Sequence, residues 1–77
     1  MWEIIGYECR KDEDGKVLSY TLHCVKPFSA GQGSGQRTRT AWYSADRVPY
    51  VPTVGERVFI GEEKRGNYLM VTDIEPY

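Results

Sequence analysis

The chain has two cysteines, one histidine and no long apolar run. Each scarcity excludes something. Cys9 and Cys24 are too few for a disulfide framework or a zinc site built from cysteine alone. His23 and Cys24 are adjacent, so on a strand their side chains point to opposite faces, which defeats a Cys–His catalytic pair. Nothing approaches the ~20 consecutive apolar residues that cross a bilayer. The first residues show no charged segment followed by an apolar one, so no signal peptide is expected. Helical periodicity is missing too. The glycine stretch "GQGSGQ" lacks a Lys-Ser/Thr ending and a following helix, so it is not a phosphate-binding loop. No carboxylate pair has a distinctive setting. The expectation is a cytoplasmic, non-enzymatic protein with no cofactor, metal, membrane partner or small-molecule substrate.

What is present reads as strand. From Trp2 to Arg10, Ile5, Tyr7 and Cys9 alternate with less apolar neighbours. "KDEDGK" then interrupts, and Asp14-Gly15 is a strong hairpin signal. "VLSYTLHCV" follows, with Leu18, Tyr20, Leu22 and Cys24 on one face. A tight turn at Asp14-Gly15 puts Cys9 opposite Tyr20 and Ile5, Tyr7 and Cys9 on that same side. Cys24 then lies four residues beyond, at ~3.3 Å per residue, so reduced, buried thiols are expected in place of a disulfide. Pro27 ends the second strand, and "RTRTAWYS" resumes alternation with both sides mixed. "SADRV" suits a short helical turn capped by Ser44 or Asp46. Pro49 and Pro52 force an extended crossing. "ERVFIGE" and "YLMVTDIEP", joined by "EKRGN", form a last hairpin, with Leu69, Val71 and Asp73 opposite Tyr68, Met70, Thr72 and Ile74.

These signals predict an all-β fold, a small five-stranded antiparallel barrel of OB-like or SH3-like kind. It is one domain over 1–77, with a flexible Gly-rich loop at 29–36. Two tryptophans, six tyrosines and two phenylalanines suit the small core of a 77-residue chain.

Charge is uneven. The net charge is −1. Residues 26–49 nevertheless carry Lys26, Arg37, Arg39 and Arg47 against Asp46 alone, a balance of +3, while the flanking segments are each −2. A local basic segment describes a binding face better than the overall charge does. These cations are interleaved with Phe28, Trp42, Tyr43 and Tyr50. Proteins that hold single-stranded nucleic acid combine a cationic groove with rings that stack on bases. The candidate site is therefore Lys26, Arg37, Arg39 and Arg47 on phosphates, and Phe28, Tyr43 and Tyr50 on bases. Lys64 and Arg65 extend the track at the tip of the last hairpin. Trp42 is expected in the core. The reading requires free guanidinium groups and unburied phenol rings.

"GKVLSYTLHCV", "YVPTVGERVFI" and "RGNYLMVTDIEP" together resemble the gene V-type single-stranded DNA-binding proteins of filamentous phages, over much of residues 15–76. The resemblance implies an OB-related homodimer that coats single-stranded DNA without sequence preference, of the kind a phage or mobile element carries. It also implies that "EKRGN" reaches toward a partner subunit or neighbouring DNA. RNA stays open as the ligand. So does an alternative of another class, an SH3-like protein-interaction or assembly module. There the arginine strand meets an acidic partner, and the barrel edge or "PYVP" makes the contact.

Overall fold

The alternating stretches become five strands in the computed structural model, which describes residues 1–28 and 31–77. They are β1 (Trp2–Lys11), β2 (Val17–Pro27), β3 (Gln36–Ser44), β4 (Arg57–Arg65) and β5 (Tyr68–Pro76). All lie in one antiparallel sheet with order β3-β2-β1-β4-β5. A three-strand meander whose fourth strand returns beside the first is a Greek-key arrangement. The sheet is not closed: β3 and β5 are its two edges. No helix occurs among the described residues. The Gly-rich loop expected at 29–36 falls partly outside the described residues, and β3 already begins at its last position, Gln36.

The first hairpin turns where the sequence requires. Asp12 Oδ1 accepts hydrogen bonds from the backbone N–H groups of Asp14 and Lys16, each at 2.9 Å. Gly15 supplies the positive φ of 84° that closes the turn. Cys9 pairs with Tyr20, as the turn dictates. Cys9 and Cys24 are both free thiols, but only Cys24 is buried, and Cys9 is exposed.

Besides a register shift between Arg10 and Lys11 that skips the exposed Leu18, two bulges move side chains away from simple alternation. One lies between Ile4 and Gly6 in β1. It places Ile4 in the core and leaves Ile5 54% exposed, reversing the expected side for Ile5. The other falls between Gly61 and Glu62, where Gly61 faces Asp73 and Glu62 faces Val71, skipping Thr72. It buries both Val71 and Ile74, which strict alternation would put on opposite faces. A Cβ at Gly61 would meet the carboxylate of the exposed Asp73, which would have to turn aside.

The core is built from Ile4, Tyr20, Leu22, Cys24, Tyr43 and Val58 with their neighbours. Complete burial of a side chain such as Leu22 or Ile4 stabilises the fold by ~1.5–3 kcal/mol. The link from β3 makes one turn, with Val48 N–H donating to Ser44 O at 3.0 Å. It then runs extended and docks on β1: Gly55 N–H donates to Ile4 O at 2.8 Å, and Ile4 N–H to Glu56 O at 2.9 Å. This docking sets β4 beside β1. The molecule measures 48 × 30 × 19 Å with a radius of gyration of 13.6 Å. A spherical domain of this length would have about 11.5 Å. The excess matches two hairpin ends, Glu8–Lys16 and Glu62–Leu69, whose residues are almost all exposed.

Candidate functional site

The site grows from one row of paired residues on β2 and β3. Tyr20 faces Tyr43, Leu22 faces Ala41, Cys24 faces Arg39 and Lys26 faces Arg37. The period of two puts all eight side chains on the same face of the sheet. At one end the row is core, because Tyr20, Leu22, Ala41 and Tyr43 are buried. At the other end it turns cationic. Cys24 marks the boundary: burial pushes its thiol pKa up, and the nearby Arg39 guanidinium partly opposes the shift.

The cationic end gathers rings from distant parts of the chain. Lys26 Nζ lies 4.5 Å from the Trp2 ring centre, and the Arg39 guanidinium carbon 5.3 Å from it. The Arg37 guanidinium carbon is 6.0 Å from the Phe28 ring centre. A ring's negative face attracts such cations. Lys26 and Phe28, with Gln36, Arg57, Glu3 and Met1, line an open concavity of about 600 Å³, the mouth, at this end of the sheet; Trp2, Arg37 and Arg39 do not line it. Lys26, Arg37 and Arg57 make no ion pair among the described residues. With Glu3 included, the mouth carries a net positive charge.

Other expected site residues are used differently. Tyr43 is only 1% exposed and belongs to the core. Its ring packs 5.5 Å from that of Tyr20, and its hydroxyl donates to Tyr50 O at 2.7 Å. It therefore has no face free for a base. Tyr50 is half-buried, and its hydroxyl donates to Glu56. Burial raises both phenol pKa values, and at Tyr50 the hydrogen bond to Glu56 and the charge of that carboxylate add to the rise. Arg39 is held by Glu62 at 2.8 Å, with 22% and 21% of the two side chains exposed. This pair joins β3 to β4 across the open side of the sheet. The condition of free guanidinium groups and unburied rings thus fails at Arg39, Tyr43 and Tyr50. The local reason is the inward face of β3, which both mixed rows of "RTRTAWYS" left undecided.

Arg47 is exposed and makes no ion pair among the described residues. It lines a second cleft of about 240 Å³ with Arg39, Trp42, Glu62, Tyr68 and Leu69, between the two edge strands. Lys64 is exposed near the end of β4, and Arg65 meets Glu63 at 3.5 Å. Neither lines the mouth or the second cleft. Comparison with known families, curated proteins and solved structures finds no match for this chain.

Sequence reasoning missed Arg57 in the mouth and Trp2 at the same end of the sheet. They are far from the basic segment and arrive through β1–β2 and β1–β4 pairing, of which no local motif gives notice. It also placed Trp42 inside, whereas that ring is 59% exposed. The signal was available: Trp42 and Tyr43 are adjacent, so burying one exposes the other.

Proposed function

We propose that the protein is a non-enzymatic binder of single-stranded nucleic acid, which it engages at the cationic mouth. The observation that carries this reading is the meeting, in one concavity, of Lys26 and Arg57 with the Phe28 ring, beside Arg37. Free cations neutralise phosphates, and an adjacent ring stacks on a base, contributing ~1–3 kcal/mol per base. The Greek-key strand order supports an OB-like arrangement, a partly open five-stranded barrel whose second and third strands serve oligonucleotide binding. The contacts available are to phosphate and to the faces of bases. Little sequence preference follows, and DNA is the natural first ligand given the gene V-type motifs. Titration of oligo-dT followed by intrinsic fluorescence, at two salt concentrations, tests the reading. Quenching at low salt that weakens at high salt is the expected result, and its complete absence at low salt ends the proposal.

A second reading, an interaction module for a protein partner, is favoured by a different observation. Arg39 is already neutralised by Glu62 and Tyr43 is in the core, while Trp42, Phe59, Tyr68, Leu69 and Tyr77 are exposed large apolar residues. Apolar surface of this kind marks interaction sites when it is contiguous.

A further inference from the structure

The second cleft separates two strand edges that share no ladder, and an exposed ring stands on each edge. Trp42 on β3 is 59% exposed and Tyr68 on β5 is 64% exposed. Between and beside them stand Arg39, Glu62 and Arg47. Since Arg39 and Glu62 neutralise each other at 2.8 Å, Arg47 leaves the cleft with a net positive charge. An open indole, an open phenol and an unpaired guanidinium in one depression are the elements that hold a base and its phosphate.

The cleft is also in line with the mouth. Gln36 lines the mouth; Thr38, Arg39 and Thr40 line a shallow concavity with Ile5 and His23; Arg39, Thr40 and Trp42 line the cleft. Three depressions thus succeed one another along β3. From Gln36 to Trp42 the strand advances about 20 Å at its usual rise. The hydroxyls of Thr38 and Thr40, both exposed, lie on the way and can donate to phosphate oxygens.

We propose that one single strand of nucleic acid follows β3 from the mouth to this cleft, where Trp42 or Tyr68 stacks on a base and Arg47 meets the adjoining phosphate. The inference rests on the reading of the mouth as a nucleic-acid site. It adds a second stacking station and a minimum length for the ligand. An oligomer too short to span both stations occupies one at a time, whereas a longer one occupies both.

The experiment is a titration of the full chain with dT2 and dT8, for the wild type and for Trp42→Ala, Tyr68→Ala and Arg47→Ala. Trp42 and Tyr68 are exposed, so the variants are expected to fold, and far-ultraviolet circular dichroism checks this. The expected result is tighter binding of dT8 than of dT2, with at least one ring variant weakening dT8 by about five-fold or more. Binding of dT2, which fits either station alone, falls by a smaller factor than that of dT8. Equal dT8 affinity in the wild type and both ring variants overturns the inference while leaving the mouth reading intact. No binding of either oligomer to the wild type overturns both. If instead the ring variants leave dT8 binding alone but convert a sedimenting dimer to monomer, the cleft is a protein interface and the inference is wrong.

Discussion

The two ends of the β2–β3 row share one backbone geometry and do opposite things. At the Tyr20–Tyr43 end, facing residues fill the core, and β1 and β4 cover them through Ile4 and Val58. At the Lys26–Arg37 end the apolar cover thins to the Trp2 and Phe28 rings, and the side chains meet solvent and ring faces. Alternation gives each residue a side of the sheet. What lies over that side decides whether the residue stabilises the fold or remains free to bind. A substitution should therefore change stability at one end and affinity at the other.

The largest loss of stability is expected at the covered end. Leu22 is fully buried, and Leu22→Ala should cost ~2–5 kcal/mol in urea unfolding, because little around it can collapse into the space. Gly61→Ala comes next, at about 1 kcal/mol, since the new methyl group forces the exposed Asp73 side chain to turn aside. Neither change should alter oligonucleotide affinity in the folded fraction. A specific loss of binding in either would erase the division between the two ends.

Tyr43→Phe sharpens the comparison through pH. Removing the hydroxyl loses the bond to Tyr50 O and should cost ~0.5–1.5 kcal/mol at neutral pH. An unfolded tyrosine loses its proton near 10.0, whereas burial holds the folded Tyr43 phenol protonated to higher pH. Above that unfolded value the folded state binds more protons, so stability falls as pH rises. Tyr43's contribution is fully present below the unfolded value and is lost as pH climbs through the raised folded one. The decline in urea midpoint between neutral and strongly alkaline pH should be shallower in Tyr43→Phe than in the wild type. Equal declines would mean that the ring is not held as the structure places it.

Arg39 stands at the boundary, and its effect should be intermediate. Arg39→Ala leaves the partly shielded Glu62 carboxylate without its partner and should cost ~1 kcal/mol, less at high salt. At the open end, Lys26→Ala and Arg37→Ala together should cost no more than about 1 kcal/mol, through the contacts to the Trp2 and Phe28 rings. Thermal unfolding of the double variant checks the latter.

Much of this architecture was legible in advance, although the expected barrel is an open sheet, and the misread faces of β1 and β5 share one cause. The turn at Asp14-Gly15 set the β1–β2 register at Cys9 and Tyr20, and Pro27, Pro49 and Pro52 bounded the strands. β5 begins and ends as its alternation suggests. Ile5, Val71 and Ile74 were misplaced because bulges shift the period by one residue, and a bulge leaves no periodic trace. The site was half legible. Lys26, Phe28 and Arg37 could be picked from interleaved charge and aromaticity. Tyr43 and Trp42 exchanged places because both rows of β3 mix polar and apolar residues, so the inward side was settled only by Tyr20 opposite. Trp2 and Arg57 required strand pairing that composition does not encode.

The central claim is that the open end of the row neutralises phosphates. Its most direct test is the slope of log affinity for oligo-dT against log salt, compared between the wild type and the Lys26→Ala, Arg37→Ala double variant. Each phosphate neutralised on a single strand contributes a slope of about −0.7, so the double variant should be shallower by about 1.4. Identical slopes in the two proteins would contradict the account.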